Sequence, residues 1–247
     1  MSVRIEREKT FHNKVFQDHS RDKVGKYYQT VNKARDFYRK QLLINGKAKS
    51  ILEYGCGPGS EAFRLAEGGA RVTGIDISDV AIEQAIQEAE KKVLSIDFKI
   101  MNAEDLNFPE NSFDTICGSG ILHHLDLKVA YAELAKVMRK AGKAVFFEPL
   151  GHNPFINFYR RITPKMRTDD EHPLTMEDLA LAKEYFGHVD VHYFNLTTFG
   201  AIPFRNMKGS RYLLNTLNGL DQAVFKMLPF IRKYAWIVVI ILKEPKY

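Results

Sequence analysis

Residues 50–59 read Ser50-Ile51-Leu52-Glu53-Tyr54-Gly55-Cys56-Gly57-Pro58-Gly59, and this stretch decides the fold. A short apolar run, Ile51 to Tyr54, reads as a buried strand; three glycines then follow at alternate positions, and a helix opens beyond them. Glycines let the backbone turn sharply and come close to a ligand, and the free N–H groups of the next helix favour a carboxylate or phosphate. Working outward, Gly74-Ile75-Asp76 ends a second apolar run 21 residues after Gly55. An acidic side chain at that place accepts hydrogen bonds from both hydroxyls of a ribose. A dinucleotide enzyme shares these features but carries Gly-x-Gly-x-x-Gly, whereas position 60 here is serine.

From Ser50 onward short apolar runs alternate with helix-period segments, the pattern of a parallel sheet covered by crossover helices. Strand candidates are 51–54, 71–75, 96–101, 113–117 and 143–147, with two more at 189–195 and 234–242. Ile82, Ala85, Ile86 and Ala89 share a helical face after the cap candidate Ser78; Ala130, Leu134, Val137 and Met138 share another after Asp126. Gly68 and Gly142 mark helix ends, and Thr175 with Asp178 forms a capping box. A helical segment carries Leu213, Leu217, Leu220 and Val224. Before Ser50 no strand is legible, and Tyr27, Val31, Ala34, Tyr38 and Leu42 stand at helical spacing. The expected organisation is a helical cap over 1–49 and an α/β domain over 50–247, with 151–173 as an insertion on the substrate side.

The chain has 247 residues, 45% hydrophobic and 27% charged, which excludes a disordered or low-complexity protein. Cys56 and Cys117 are too few for a disulfide framework or a structural zinc site; they read as a small loop filler and a buried strand residue. The first ten residues lack the apolar core of a signal peptide, and the longest apolar run, 235–242, is too short to span a membrane. A soluble cytoplasmic protein is expected. Residues 1–49 hold 13 Lys/Arg against 5 Asp/Glu, a balance of +8, whereas the other 198 hold 23 against 25. The net charge of +6 therefore belongs to the N-terminal fifth.

Four motifs in order make the chain resemble the class I S-adenosylmethionine-dependent methyltransferases, of the small-molecule, type 11-like kind. They are Glu53 to Gly59, Asp76-Ile77, Asn102-Ala103-Glu104-Asp105, and Phe113-Asp114 running on to Gly118-Ser119-Gly120-Ile121-Leu122-His123-His124-Leu125. The resemblance implies a Rossmann-like, mostly parallel seven-stranded sheet of order 3-2-1-4-5-7-6, with strand seven antiparallel and helices on both faces. It implies S-adenosyl-L-methionine as cofactor and S-adenosyl-L-homocysteine as product. Glu53 then stands near the ammonium group, Gly55, Gly57 and Gly59 wrap the methionine part, and Asp76 takes the ribose. Ile77 packs on the adenine, Asn102, Ala103 and Glu104 reach its edge, and Gly118 and Ser119 border cofactor and active site.

For the acceptor, His124 is the first candidate base, with His123 and His152 behind it and Tyr28 or Tyr27 from the cap as a partner. Glu148, His152, Arg160 and Arg161 follow strand five among aromatic residues, at the edge where open α/β sheets place ligands, and are candidates to bind the acceptor. Arg167 is a further candidate anion partner. No ligand spacing stands out, so no metal is expected. The site where nucleic-acid and protein-amide N-methyltransferases of this fold carry Asn/Asp-Pro-Pro-Tyr/Phe reads Gly118-Ser119-Gly120-Ile121. That favours a small-molecule acceptor, at oxygen, over a nucleic-acid partner. Carbon or nitrogen of a small or lipid-like molecule is the first alternative, and a nucleic-acid- or membrane-binding module the alternative from another class.

Overall fold

The computed structural model describes residues 3–18, 29–43, 49–163, 171–204 and 206–246. Seven strands form one sheet: β1 (Ser50–Tyr54), β2 (Arg71–Asp76), β3 (Ile96–Ile100), β4 (Phe113–Ser119), β5 (Met138–Pro149), β6 (Phe186–Phe194) and β7 (Ile237–Pro245). Their order is β3-β2-β1-β4-β5-β7-β6. The first five pair in parallel, and β7 runs antiparallel between β5 and β6. The helices are α1 (Val3–Gln17), α2 (Asn32–Leu43), α3 (Ala62–Glu67), α4 (Asp79–Lys91), α5 (Leu127–Val137), α6 (Pro154–Ile162), α7 (Met176–Tyr185) and α8 (Ser210–Met227).

Period-two alternation sends neighbouring strand residues to opposite faces, and both faces are apolar because helices cover both. Leu52, Tyr54, Ile116, Phe146, Val238 and Ile240 pack with Leu134 of α5 and Leu179 of α7. Ile51, Cys117, Val145, Phe147, Val239 and Ile241 pack with Ala34, Tyr38 and Leu42 of α2 and Leu65 of α3. Each such side chain contributes roughly 1.5–3 kcal/mol when fully buried. The basic N-terminal segment thus supplies a helix, α2, that covers the sheet with its apolar stripe. Among the described residues no helix is long and apolar enough to cross a membrane.

Capping follows the sequence closely. The Ser78 side chain accepts from Ala81 N, that of Asp126 from Lys128 N and Val129 N, and Thr175 with Asp178 closes a capping box. Gly68 caps α3. Gly142 is a correction: it lies inside β5, and no helix ends there. A Cβ at Gly142 would come within 2.8 Å of the Arg139 carbonyl and 3.1 Å of the Asp114 carbonyl, where the β4–β5 register shifts. Close backbone approach at an irregular pairing, not a helix terminus, is what requires glycine there.

The parallel strands present their carboxyl ends to one edge, and the neighbours β1 and β4 lead to connections on opposite faces. That divergence leaves a crevice, the usual ligand position in an open α/β sheet.

Candidate active site

The loop after β1 takes its shape from glycine. Gly55, Gly57 and Gly59 have φ of 71°, 52° and 94°, the left-handed region that side chains resist. A Cβ on Gly55 would lie 2.8 Å from the Ile121 side chain, and one on Gly59 would lie 2.5 Å from the Phe63 ring. Cys56 N donates to Ile75 O at 2.9 Å, tying the loop to the end of β2.

Glu53 sits beneath this loop. Its carboxylate accepts from Ser60 Oγ at 2.7 Å, Glu61 N at 2.9 Å and Ala62 N at 2.7 Å, so it holds the amino end of α3 and lines no part of the cavity. Burial raises its pKa from 4.5 to about 7, against the donors that favour the ionised form. Since the folded pKa is the higher one, this stabilisation is complete below pH 4.5 and is lost as pH rises through about 7. At roughly 1.36 kcal/mol per pH unit the window is worth about 3 kcal/mol. Urea unfolding of wild type and Glu53→Gln between pH 4.5 and 7.5 should therefore converge in favour of the variant as pH rises. Parallel stability curves would contradict the placement of this carboxyl.

Asp76 ends β2 with both oxygens engaged: Oδ2 accepts from Gly57 N at 2.8 Å and Oδ1 from Ser78 N at 2.9 Å. It joins the glycine loop to the β2–α4 turn while lining the cavity. After β3, the Asn102 side chain accepts from Glu104 N, and the buried Tyr54 hydroxyl donates to Ala103 O at 2.5 Å. After β4, Ile121 N and Leu122 N donate to Glu148 Oε1 at 2.9 and 3.0 Å. His123 Nδ1 lies 2.8 Å from Glu148 Oε2. Glu148, fully buried at the end of β5, thus anchors the turn that presents His124, and burial raises its pKa from 4.5 to about 7.

The roof of the crevice is α1. Ile5, Glu8, His12 and Phe16, spaced three or four residues apart, face inward together with Arg4. Arg4 donates to Glu104 at 2.6 and 2.5 Å and to His124 O at 2.9 Å. At the other end Asn13 donates to Asp79 at 2.7 Å and accepts from Ser78 Oγ at 2.6 Å, while Lys9 pairs with Asp79 at 3.1 Å. Below the roof, the His124 ring is 6% exposed, with Nδ1 3.2 Å from Glu8 Oε2. His12 Nε2 stands 3.4 Å from that same oxygen, and the two imidazole rings meet edge to face at 5.1 Å. Burial holds the pKa of His124 below the usual histidine range, which keeps it neutral.

The partly open cavity, of about 200 Å³, gathers Gly55, Gly57, Asp76, Ile77, Asn102, Ala103, Glu104, Ser119 and His124 against the α1 stripe. Gly59, Gly118 and Glu53 do not line it; Gly59 packs on the Phe63 ring and Gly118 on Ile121 and Phe146. The remaining sequence candidates stand elsewhere. His123 is bound to Glu148; His152 Nε2 accepts from Met176 N at 3.3 Å; Arg160 pairs with Glu171 at 3.1 Å. Arg161 is exposed on α6, as are Phe155 and Phe158 at 73% and 65%. Tyr27, Tyr28 and Arg167 lie outside the described residues. Sequence reasoning missed Arg4, Ile5, Glu8, His12 and Phe16; the available signal was their helical spacing, mixed in polarity and so unlike a core stripe.

The donor set suits S-adenosylmethionine. Left-handed glycines open the floor, the Asp76 carboxylate offers acceptors to a hydroxyl-bearing ligand, and Ile77 and Met101 supply an apolar slot, while the Glu104 carboxylate is held by Arg4 and Asp126 N. Residues 52–146 match the sequence profile of the Methyltransferase domain family. A ubiquinone biosynthesis O-methyltransferase of Coxiella burnetii is 32% identical over 123 residues, 50% of this chain and 52% of that protein. A sterol 24-C-methyltransferase of Gibberella zeae is 29% identical over 135 residues, 53% of this chain and 35% of that protein. The chain thus spans about half the length, or less, of these curated relatives. Magnesium protoporphyrin IX methyltransferase from Synechocystis PCC 6803, solved with the cofactor bound, shares the fold with a TM-score of 0.59 at 14% identity, over 98% of both chains. Profile, strand order and crevice chemistry agree: over residues 52–146 the chain is similar to the class I S-adenosylmethionine-dependent methyltransferases, and its sheet has their strand order.

Proposed function

We propose that this protein moves the methyl group of S-adenosylmethionine to an oxygen of a small molecule by in-line displacement. The observation that carries the reading is one cavity bounded by the glycine loop and Asp76 on one side and by Glu8, His12 and His124 on the other. Residues 50–247 act as the transferase domain, 1–49 as a cap whose first helix roofs the cavity, and 151–173 as the substrate-side insertion. Asp76 receives the ribose, Ile77, Asn102, Ala103 and Glu104 border the adenine, and Gly55, Gly57 and Ser119 line the methionine end.

The bound cofactor supplies an electrophilic methyl group on a sulfonium; the chain must orient the acceptor, exclude water and accept its proton. The α1 roof excludes water. Proton acceptance falls to the group around His124, whose imidazole burial keeps neutral. A phenol or alcohol needs this step, whereas a carboxylate arrives ionised. Oxygen is favoured because the wall that faces the acceptor ends in this proton-accepting group, and because the Coxiella burnetii relative is named an O-methyltransferase.

The test is incubation with isotope-labelled S-adenosylmethionine and a panel of phenols, alcohols and carboxylic acids, read by mass spectrometry. The expected product carries one labelled methyl on oxygen. A carbon-methylated product would overturn the oxygen assignment, as the sterol C-methyltransferase relative illustrates, and absence of S-adenosylhomocysteine binding would overturn the cofactor assignment.

A further inference from the structure

We infer that Glu8, His12 and His124 form a binding site for one divalent transition-metal ion, zinc foremost, inside the cavity. The spacing of Glu8 and His12 sets both on one face of α1, one turn apart, as helices that bind metals arrange their ligands. His124 meets them from the turn after β4. Their ligand atoms lie within 4.8 Å of one another, and Glu8 Oε2 is 3.2 Å from His124 Nδ1 and 3.4 Å from His12 Nε2. Ligands of tetrahedral zinc at ~2.0–2.1 Å stand about 3.3–3.4 Å apart, so the two pairs through Glu8 Oε2 already hold that spacing and the two imidazoles need only a small adjustment within their 4.8 Å limit.

Direction points the same way. His124 Nδ1 is buried and makes no hydrogen bond among the described residues, although Glu8 Oε2 is near enough. At that length misalignment leaves little hydrogen-bond energy, and a buried polar atom without a partner costs about 1–3 kcal/mol. An ion placed between the three groups satisfies it. The neighbouring set, His123, His124 and Glu171, is less suited: His123 Nδ1 is committed to Glu148 at 2.8 Å and Glu171 to Arg160 at 3.1 Å. The nearby Arg4 guanidinium is neutralised by Glu104. The roof helix is fixed at both ends by its bonds to Glu104 and Asp79, so the ligands are preorganised.

Two imidazoles and one carboxylate select a first-row ion such as zinc over calcium or magnesium, and three protein ligands leave a position open toward the cavity. That position suits an oxygen donor, a hydroxyl or carboxylate, whose proton the ion makes easier to lose. This last role rests on the methyl-transfer reading; the site itself does not.

The test uses the full chain, stripped with a chelator and titrated with zinc chloride by calorimetry. One equivalent should bind. Cobalt(II) should give the visible absorption of a low-symmetry nitrogen and oxygen site. Glu8→Gln and His12→Gln should weaken zinc by more than about a hundredfold, beyond what changes outside the ligand shell cost. His192→Ala, in the half-buried β6 pair with Asp190 and outside the cavity lining, should leave zinc binding intact. No stoichiometric binding by wild type, or equal binding by both ligand variants, overturns the site. S-adenosylhomocysteine titration runs alongside: binding of that ligand without zinc refutes the metal site alone, and zinc binding without it refutes the cofactor reading alone. Retained affinity for S-adenosylhomocysteine in the variants shows that they are folded.

Discussion

His124→Ala is expected to lower kcat on a hydroxyl acceptor by about 10²- to 10⁴-fold, the range that a positioned proton-transfer group contributes. The substitution should leave S-adenosylhomocysteine affinity within a few-fold, because the contacts that shape the cofactor loops run through Asp76, Cys56 and Tyr54, none of which touches the His124 ring. The Arg4 bond to residue 124 goes to its carbonyl and survives. Single-turnover rates and calorimetry on the same variant separate the two effects. An unchanged kcat on a phenol would remove His124 from the proton path, whereas an unchanged kcat on a carboxylic acid alone would identify an acceptor that arrives ionised. His123→Ala is the contrast: it strips a partner from the buried Glu148 and should act first on stability.

The sheet and the cofactor side were legible because each rests on local patterns. Apolar runs of four to nine residues marked all seven strands, and the glycine loop, the Asp76 turn and the caps at Ser78, Asp126 and Thr175 carry their own signals. The strand order came from resemblance, since pairing of β5 with β7 joins segments about ninety residues apart. What was not legible depends on docking. Nothing near Glu8 or His12 records that α1 lands on residue 124, and the polar, mixed stripe 5-8-12-16 has no core character of its own. The sequence ranked His124 ahead of His123 and His152, and packing supplies the physical distinction: His152 caps α7, His123 locks the turn, and of the three His124 alone lines the cavity. Glu148 stood on the correct sheet edge, but its strand direction carried the side chain under the turn.

Asp76→Ala should weaken S-adenosylhomocysteine binding by at least about 100-fold. Two lines of physics add here. A ribose that loses a carboxylate acceptor forfeits hydrogen bonds to a charged group worth about 1.5–3 kcal/mol each, and about 1.4 kcal/mol is a factor of ten in Kd. The same carboxylate also receives Gly57 N and Ser78 N, so its removal loosens the glycine loop from the β2–α4 turn. A carboxylate has about four acceptor positions, which is why the two backbone bonds do not exclude the ribose. Asp76→Asn discriminates between the two contributions: its amide oxygen still accepts from one backbone N–H, but its NH₂ faces the other N–H and offers the ribose a donor in place of a charge. Thermal unfolding without ligand reads the loop contribution by itself, a fall of about 2–4 °C per kcal/mol for a chain of this size. If Asp76→Ala bound S-adenosylhomocysteine as tightly as wild type while its melting temperature fell, Asp76 would be a loop clamp only, and the ribose would have to be held by another acceptor in the crevice.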